Sequence, residues 1–289
     1  MRFYTESLGL SQNAFILLRD LIHERLGLFY DNSKQDLLSD KLSPLVVARG
    51  FDSFLDYYYL LKYDEDAAAE WRRVMDVLSV QETYFWREID QVRALVEVIV
   101  PRYFAEHSTT PLRIWSTACA TGEEPLTIAM MLNEAGWLAR APIEIYASDA
   151  SPAAIAKAQA GIYRERSFRS LPQALRDRYF TVIRRPTNPE FESAQWQVVP
   201  WLHAAIRWDV INLVSESDMR RVAPVNVIFC RNVFIYFSDN AIRRSVHLFA
   251  QRLLPPGCLF VGASESLLRI ASDFDLQDIG GAFVYVKRS

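Results

Sequence analysis

The residues best suited to chemistry form a short loop at 117–123 that separates two regular segments. Residues 113–125 read RIWSTACATGEEP, so an apolar run stops at small residues, one glycine and two carboxylates. Residues 112–116 are predicted to form a buried strand, and residues 124–132 place apolar side chains at helical spacing. The loop is therefore a strand-to-helix turn at the carboxyl end of a parallel strand, where open α/β sheets bind ligands.

The composition of this loop suits one kind of cofactor better than another. Gly122 is its only glycine, whereas a dinucleotide site of the G-x-G-x-x-G type needs several for close approach to a pyrophosphate. Glu123 and Glu124 would also repel phosphate. S-adenosylmethionine carries no phosphate, and acidic residues would attract its ammonium and hydrogen-bond its ribose hydroxyls. An ordinary turn, with acids at the positive end of the helix, explains the same residues without a ligand.

Polar residues also follow two other predicted strands. Asp149 ends the second strand, where a Rossmann-like site hydrogen-bonds a ribose. The alternative for Asp149 is to cap the next helix, although Ser151 competes for that role. Arg231 and Asn232 interrupt a later, strongly apolar run. Because the carboxyl ends of parallel strands share one edge of a sheet, we expect these residues to meet beside the glycine-containing loop.

Residues 80–88, VQETYFWRE, place Arg87 directly after three aromatic residues. This segment does not alternate as a half-exposed strand would. It is either a lid over a ligand, in which the guanidinium binds a carboxylate while the rings pack on an adenine or a cation, or an aromatic plug between domains.

The whole chain has the composition of a globular protein without a nucleic-acid or membrane function. It has 289 residues, 51% hydrophobic and 23% charged, with a net charge of −3. A negative net charge argues against non-specific nucleic-acid binding, and neither a membrane span nor a signal peptide is evident, so the cytoplasm is expected. The three cysteines are predicted to be buried, reduced thiols, and no metal site is expected from the spacing of the four histidines.

The first 80 residues are predicted to form an all-helical domain. Helices are expected at 11–27, 33–49, 52–62 and 65–78. Ser11 caps the first, and Gly27 ends it. Pro44 lies inside the second, which is therefore expected to bend or to be two shorter helices. Residues 81–110 are assigned to a linker motif and one helix, predicted at 89–104.

Residues 111–289 alternate between strand and helix, which predicts a mostly parallel sheet with helices on both faces. An antiparallel excursion, assigned to about 164–208, includes extended runs at 180–185, 196–201 and 205–210. A later helix at 241–254 is expected to be capped by Asp239 or Asn240 and ended by Pro255-Pro256-Gly257. The closing pair of strands, joined by Gly280-Gly281, is predicted to be antiparallel.

With these residues in view, the chain resembles the CheR family of chemotaxis protein-glutamate O-methyltransferases. The resemblance covers nearly the full length and is carried by motifs in the family's order, which are QETYFWRE, WSTACATGEEP, ASD, AGIYR, VINL and IFCRNVFIYF. It implies an α/β fold, in which an N-terminal helical domain packs on a Rossmann-like S-adenosylmethionine-dependent methyltransferase domain with a small antiparallel β-subdomain. It also implies methylation of glutamates in the cytoplasmic helical bundle of chemoreceptors, with S-adenosylhomocysteine as the other product.

The resemblance implies roles for ten residues of this chain. Arg87 and Tyr236 are implied to be catalytic, with Arg87 orienting the incoming glutamate and Tyr236 near the transferred methyl group. The implied cofactor-binding residues are Gln81, Thr83, Arg87, Glu124, Asp149, Asn212, Leu213, Arg231 and Asn232.

Three departures from the family pattern affect the expected function. Gln81 stands where the family usually has asparagine, which should change cofactor affinity more than activity. The family's second helix is commonly rich in arginine, whereas the corresponding stretch here, KLSPLVVARG, offers only Lys41 and Arg49, which bears on the choice of receptor. The loop at 186–193 lacks the glycine of members that tether to a receptor pentapeptide, so we expect action without tethering, by a monomer.

Two other functions compete with receptor-glutamate methylation. The depleted basic helix favours an enzyme that methylates carboxylates of another signalling protein. A non-catalytic S-adenosylmethionine-binding module is the second alternative, and the presence of Arg87, Asp149, Arg231, Asn232 and Tyr236 argues against it.

Overall fold

The computed structural model describes residues 8–65, 67–184 and 194–288, and its first unit is helical. The helices of this unit are α1 (Gln12–Leu26), α2 (Gln35–Ala48), α3 (Phe54–Tyr63) and α4 (Ala67–Leu78). As predicted, Ser11 caps α1 by accepting from the Ala14 N–H, and Gly27 ends it in the left-handed region at φ 76°. The apolar faces of all four helices share one core.

The second helix runs through Pro44 without a break, so the alternative of two shorter helices is wrong. Leu38, Leu42 and Val46 lie on one face and are fully buried in the helical core. Burial of this continuous apolar stripe stabilises a single helix and offsets the loss of the hydrogen bond that proline cannot make. Ser43 also donates its hydroxyl to the Ser39 carbonyl one turn back.

The predicted helix at 89–104 changes its hydrogen-bond register along its length. It consists of α5 (Ile89–Ala94), a π-helical turn (Leu95–Ile99) and α6 (Val100–Glu106). Pro101 stands directly after the start of α6 and has no N–H to donate to Glu97. A π turn is one way for a helix to accommodate such a missing donor.

The rest of the chain alternates between strands and helices as predicted. Its elements in order are β1 (Leu112–Thr117), α7 (Glu123–Glu134), α8 (Trp137–Arg140), β2 (Ile143–Asp149), α9 (Pro152–Ala160), β3 (Ile162–Arg164), α10 (Gln173–Tyr179), β4 (Phe180–Arg184), β5 (Gln195–Val198), α11 (Pro200–His203), β6 (Ile206–Val210), α12 (Glu216–Arg221), β7 (Val225–Cys230), α13 (Asp239–Arg252), β8 (Leu253–Val261), β9 (Phe274–Ile279) and β10 (Ala282–Lys287).

A seven-stranded sheet organises this part of the protein. Its strand order is β6-β2-β1-β7-β8-β10-β9, parallel from β6 to β8, while β10 pairs antiparallel with β8 and β9. The predicted turn at Gly280-Gly281 joins the closing antiparallel pair. Two further apolar clusters are built around the sheet strands, and the three cysteines are buried as free thiols.

The antiparallel excursion is smaller than predicted and begins earlier. Its three-stranded sheet has the order β3-β5-β4, so the first strand starts at Ile162. The run predicted at 205–210 does not belong to it, because β6 pairs in parallel with β2 at the edge of the main sheet. There Trp208 packs against Gly122, where any β-carbon would lie 2.9 Å from the ring. The packing of Trp208 against the glycine-containing loop goes together with the pairing of β6 and β2. Neither contact could be predicted from the local sequence.

The predicted boundaries of the helix at 241–254 are wrong at both ends. Ser238 caps α13 by accepting from the Ala241 N–H, so neither Asp239 nor Asn240 is the cap. The helix stops at Arg252, and Pro255-Pro256 lies inside β8, where the pairing with β7 shifts register. Proline is tolerated at such an irregularity because the ladder hydrogen bond is already absent there.

The helical unit is tied to the sheet by one carboxylate of α4. Asp76 Oδ1 accepts from the Ser151 hydroxyl at 2.5 Å and from the Ala153 N–H at 3.1 Å, at the start of α9. Ser151 itself caps α9 by accepting from the Ala154 N–H. A carboxylate at a helix N-terminus also interacts favourably with the helix dipole.

We predict that Asp76→Ala lowers the free energy of unfolding by about 1–2 kcal/mol, since it removes two hydrogen bonds and leaves the Ala153 N–H without a partner. Urea denaturation followed by circular dichroism measures the loss. Asp40→Ala, at an exposed position of α2, is the matched control and should stay within about 0.5 kcal/mol of the parent protein. An equal loss in both variants would show that the Asp76 contact does not stabilise the fold.

Candidate active site

A cavity of about 510 Å³ opens at the carboxyl ends of β1, β2 and β7. This size lies within the usual range of cofactor and small-molecule sites. All ten residues that the family resemblance implied line this cavity, namely Gln81, Thr83, Arg87, Glu124, Asp149, Asn212, Leu213, Arg231, Asn232 and Tyr236. The sheet edge therefore brings them together, although their individual roles stay predictions.

The loop after β1 curves around the cavity through three left-handed residues. Ala118, Ala120 and Gly122 have φ values of 48°, 48° and 94°, a conformation that is uncommon for residues other than glycine. Ala118 and Ala120 line the cavity and Gly122 does not. The missing side chain of Gly122 makes room for Trp208 of β6, so this glycine serves packing.

Asp149 lies at the end of β2 with both carboxylate oxygens held by backbone donors. Oδ2 accepts from the Ala120 N–H at 2.9 Å, and Oδ1 accepts from the Ser151 N–H at 2.8 Å. Burial raises the pKa of this carboxyl, and the two hydrogen bonds oppose the rise. Because Ser151 caps α9, Asp149 is not the cap. Each oxygen keeps a second lone pair, so the carboxylate can accept hydrogen bonds from two hydroxyls of a ribose.

Arg231 is a buried cation at the end of β7, and its side chain is 3% exposed. Its Nη1 lies 3.2 Å from Glu124 Oε2, and its Nη2 donates to the Arg87 carbonyl at 2.6 Å and lies 3.4 Å from Glu88 Oε2. Burial raises the pKa of Glu124, whereas Arg231 and the Ser116 hydroxyl lower it. Arg231 therefore joins three segments of the cavity wall.

Asn232 adopts a left-handed conformation, with φ 59°, directly after this arginine. Its N–H donates to Glu265 Oε2 at 2.8 Å, and its side-chain amide donates to Glu88 Oε1 at 3.3 Å. A β-carbon at Gly262 would lie 2.6 Å from the Asn232 amide nitrogen, so only glycine fits beside it. The strained turn is thus held from several sides.

Sequence reasoning missed two carboxylates that hold the cavity wall. Glu88 binds Arg231 and Asn232 and also accepts from the Ala263 N–H. Glu265 accepts from the N–H groups of Gly262, Asn232 and Ile235. Glu88 ends the motif QETYFWRE and could have been singled out there, whereas no local pattern marks Glu265.

Arg87 stands at the mouth of the cavity with its side chain 27% exposed. Its Nη1 donates to the Glu82 carbonyl at 2.8 Å, and its Nε lies 4.0 Å from Glu88 Oε1. Its guanidinium carbon lies 5.7 Å from the centre of the Tyr84 ring. Tyr236, also partly exposed, is the last residue of a 3₁₀ turn and accepts from the Phe29 N–H through its carbonyl.

The segment at 80–88 has a buried part and a part that faces the cavity. Phe85 is fully buried and packs against Tyr163, Phe168 and Phe180, which anchors the segment to the β-subdomain. Thr83, Tyr84 and Arg87 of the same segment line the cavity. That the segment covers a bound ligand stays a prediction.

The helical unit closes the cavity with residues that the sequence did not suggest. Tyr30 lines it, and burial raises the pKa of this phenol to about 12. Lys41 also lines it, and its Nζ donates to the Val77 carbonyl at 2.9 Å. Leu28 forms a backbone bridge with Phe237 beyond β7. The first of these two contacts joins residues 36 positions apart and the second joins residues 209 positions apart, which local patterns do not reveal.

The donor set of the cavity fits S-adenosylmethionine. Asp149 offers acceptors to hydroxyls, and Glu124, which also lines the cavity, places negative charge where an ammonium group could bind. Arg231 Nε is buried and has no hydrogen-bond partner among the described residues, so it can serve a ligand carboxylate. The loop after β1 has one glycine and no phosphate cradle, which is consistent with a ligand lacking phosphate.

Comparison with known proteins places the chain in a family. Residues 81–280 match the family described as "CheR methyltransferase, SAM binding domain", and residues 13–79 match "CheR methyltransferase, all-alpha domain". The chain belongs to the CheR methyltransferase family. This CheR methyltransferase therefore binds S-adenosylmethionine as its methyl donor, as the chemistry of the cavity indicated.

Several curated relatives cover nearly the whole of this CheR methyltransferase. Chemotaxis protein methyltransferase 2 of Vibrio cholerae is 32% identical over 280 residues, which is 96% of this chain and 94% of the relative. Chemotaxis protein methyltransferase of Escherichia coli is 29% identical, covering 94% and 91% of the two chains. A Pseudomonas putida protein named probable biofilm formation methyltransferase WspC is 28% identical over 92% of this chain and 60% of its own.

No helix within the described residues combines the length and the apolar character needed to cross a membrane.

We predict that Asp149→Asn raises the dissociation constant for S-adenosylhomocysteine about 10- to 100-fold, since a hydrogen bond to a charged group contributes about 1.5–3 kcal/mol. The amide also turns one acceptor into a donor, which cannot pair with the Ala120 or Ser151 N–H. Isothermal titration calorimetry measures the affinity, with exposed Asp40→Asn as the control. An unchanged affinity for Asp149→Asn would remove this residue from the binding site.

Proposed function

We propose that this CheR methyltransferase converts glutamate side chains in the cytoplasmic helical bundle of chemoreceptors to methyl esters. The observation that carries the proposal is Arg87, a partly exposed guanidinium at the mouth of the cofactor cavity. Its Nη2 has no hydrogen-bond partner within the described residues, so it can receive an incoming carboxylate. Relatives named chemotaxis protein methyltransferases support the choice of acceptor.

Five residues of the cavity have distinct proposed roles in holding the cofactor. Asp149 accepts hydrogen bonds from the ribose hydroxyls, Arg231 and Glu124 bind the amino acid end, and Asn232 with Gln81 completes the wall. When bound, S-adenosylmethionine supplies a methyl carbon for the acceptor oxygen to attack, with the pair of the broken carbon–sulfur bond remaining on sulfur to give S-adenosylhomocysteine.

The acceptor does not need a base. A glutamate side chain has a reference pKa of about 4.3 and is already an anion at neutral pH. The protein has to orient this carboxylate and exclude water, and alignment can contribute on the order of 7–11 kcal/mol to lowering the barrier. Arg87 orients the carboxylate, and Tyr236 stabilises the positive charge near the transferred methyl group through its ring.

A second candidate function is methylation of carboxylates in another signalling protein. Lys41 donates to main-chain carbonyls of α4, and Arg49 pairs with buried Glu70. Lys41 of α2 and Arg49 directly after it are therefore engaged inside the protein, which favours a substrate that is not recognised through these two cations. One similar protein is named for biofilm formation and not for chemotaxis, which supports considering a second signalling pathway.

Partner and location follow the same proposal. We propose a cytoplasmic monomer that acts on receptors without pentapeptide tethering. The loop at 186–193, on which the tethering prediction rests, lies outside the described residues.

A methyl-transfer assay tests the proposed acceptor. The protein is incubated with radiolabelled S-adenosylmethionine and a purified chemoreceptor cytoplasmic domain, and we expect label that is released as methanol by mild base. A receptor domain with glutamine at its methylation sites is the control and should remain unlabelled. Base-stable label, or label only on a different protein of the cell lysate, would contradict receptor-glutamate methylation.

We predict that Arg87→Ala lowers kcat/KM at least about 100-fold, since an oriented charged hydrogen bond to the carboxylate contributes about 1.5–3 kcal/mol and misalignment adds to the loss. Arg93→Ala removes an exposed guanidinium whose salt-bridge partner among the described residues is Asp90, on the same helix α5, and should leave the rate within about twofold. Initial rates at saturating cofactor measure both. Equal losses would show that Arg87 has no special part in the reaction.

A further inference from the structure

A second cavity, of about 600 Å³, shares the segment 80–83 with the cofactor cavity as a common wall. It lies against the start of the β-subdomain. Four basic residues line it, namely Lys157, Arg164, Arg166 and Arg169. We refer to this second cavity as the basic cleft.

The acidic residues of the basic cleft do not neutralise it. Glu123 is 2% exposed, and its oxygens accept from the hydroxyls of Thr121 and Ser167 at 2.6 and 2.9 Å. The other acid, Glu82, lies 3.5 Å from Arg169. No carboxylate of the described residues lies within salt-bridge distance of Arg164 or Arg166, and both are exposed. Two guanidiniums in the cleft are therefore available to an outside anion.

A line of cations connects this cleft with the site of methyl transfer. The guanidinium carbon of Arg169 lies 3.8 Å from the centre of the Tyr84 ring, and that of Arg87 lies 5.7 Å from the same ring. Glu82 contacts both arginines, through its carboxylate to Arg169 and its carbonyl to Arg87. An acidic segment entering at Arg87 would thus meet further positive charge beyond it.

The second helix offers little net positive charge to a substrate. Lys41, and Arg49 directly after the helix, bind groups inside the protein. Exposed Lys34, directly before the helix, is offset by the exposed carboxylates of Asp36 and Asp40. The basic cleft is the charged surface that adjoins the cofactor cavity from the opposite, β-subdomain side.

We propose that the basic cleft binds acidic side chains that flank the acceptor glutamate in the protein substrate, through Arg164 and Arg166. The proposed function takes the substrate to be a helical segment, in which residues three or four apart lie about 5–6 Å from one another on one face. One carboxylate then meets Arg87 while others, one or two turns away, meet the cleft. The inference rests on the proposed function in taking the acceptor to be a glutamate of such a helical segment.

A binding experiment tests the proposal separately from methyl transfer. The probe is a fluorescent helical peptide with a central glutamate and glutamates one and two turns away, measured by anisotropy with saturating S-adenosylhomocysteine. We expect Arg164→Gln/Arg166→Gln to weaken binding about 10-fold and to reduce its salt dependence, as for the loss of two exposed charge pairs. The control Arg72→Gln/Arg243→Gln makes the same charge change at exposed residues outside both cavities and should bind within about twofold of the parent.

Four comparisons make the result decisive. Titration with S-adenosylhomocysteine should give the same affinity for the parent protein and both variants, which shows that all three are folded. Equal peptide affinity in the two variants, or equal parent affinity for a peptide whose flanking glutamates are replaced by glutamine, overturns the proposal. A parent protein that binds the peptide through the cleft but transfers no methyl group contradicts the proposed function and leaves the cleft assigned.

Discussion

The ion pairs of Arg231 are the interaction on which the rest of the site depends. A guanidinium with 3% exposure at the end of β7 requires partners, because an isolated buried charge is strongly unfavourable. Its partners come from the first turn of α7, through Glu124, and from the segment at 80–88, through Glu88 and the Arg87 carbonyl. The contacts that neutralise Arg231 therefore set the position of Glu124, at the start of α7, and of Arg87, the residue proposed to orient the substrate.

The strained backbone of the site follows from the same arrangement. Ala118, Ala120 and Asn232 all adopt left-handed conformations and line the cofactor cavity. Trp86 and Glu88, on either side of Arg87, are also left-handed. Such residues persist only where the surroundings hold them. Here Asp149 holds the Ala120 N–H, and Glu265 holds the Asn232 N–H. Asp149, the carboxylate that suits the ribose, thus also helps to keep the loop after β1 in place.

The sequence predicted those parts of the site that depend on local order. Asp149, Arg231 and Asn232 could be placed because polar residues at the ends of buried strands share one sheet edge, and Ser11 and Gly27 because helix caps are local. Partners distant in sequence could not be predicted, and the contacts of Glu265 and Lys41 depend on how strands and helices pack. The same limit explains why β6 was assigned to the wrong sheet. Its sequence fits a strand of either sheet, and its place at the edge of the main sheet depends on pairing with β2. Assignment of the individual roles came from family resemblance.

The central claim is that one edge of a parallel sheet binds S-adenosylmethionine with its methyl group toward Arg87. A crystal structure with S-adenosylhomocysteine tests this most directly. The account predicts both ribose hydroxyls within hydrogen-bond distance of the Asp149 carboxylate, about 2.5–3.0 Å, with the sulfur on the side of the cavity that Arg87 and Tyr236 line. A nucleoside bound elsewhere, or bound with its sulfur turned away from Arg87, would contradict it.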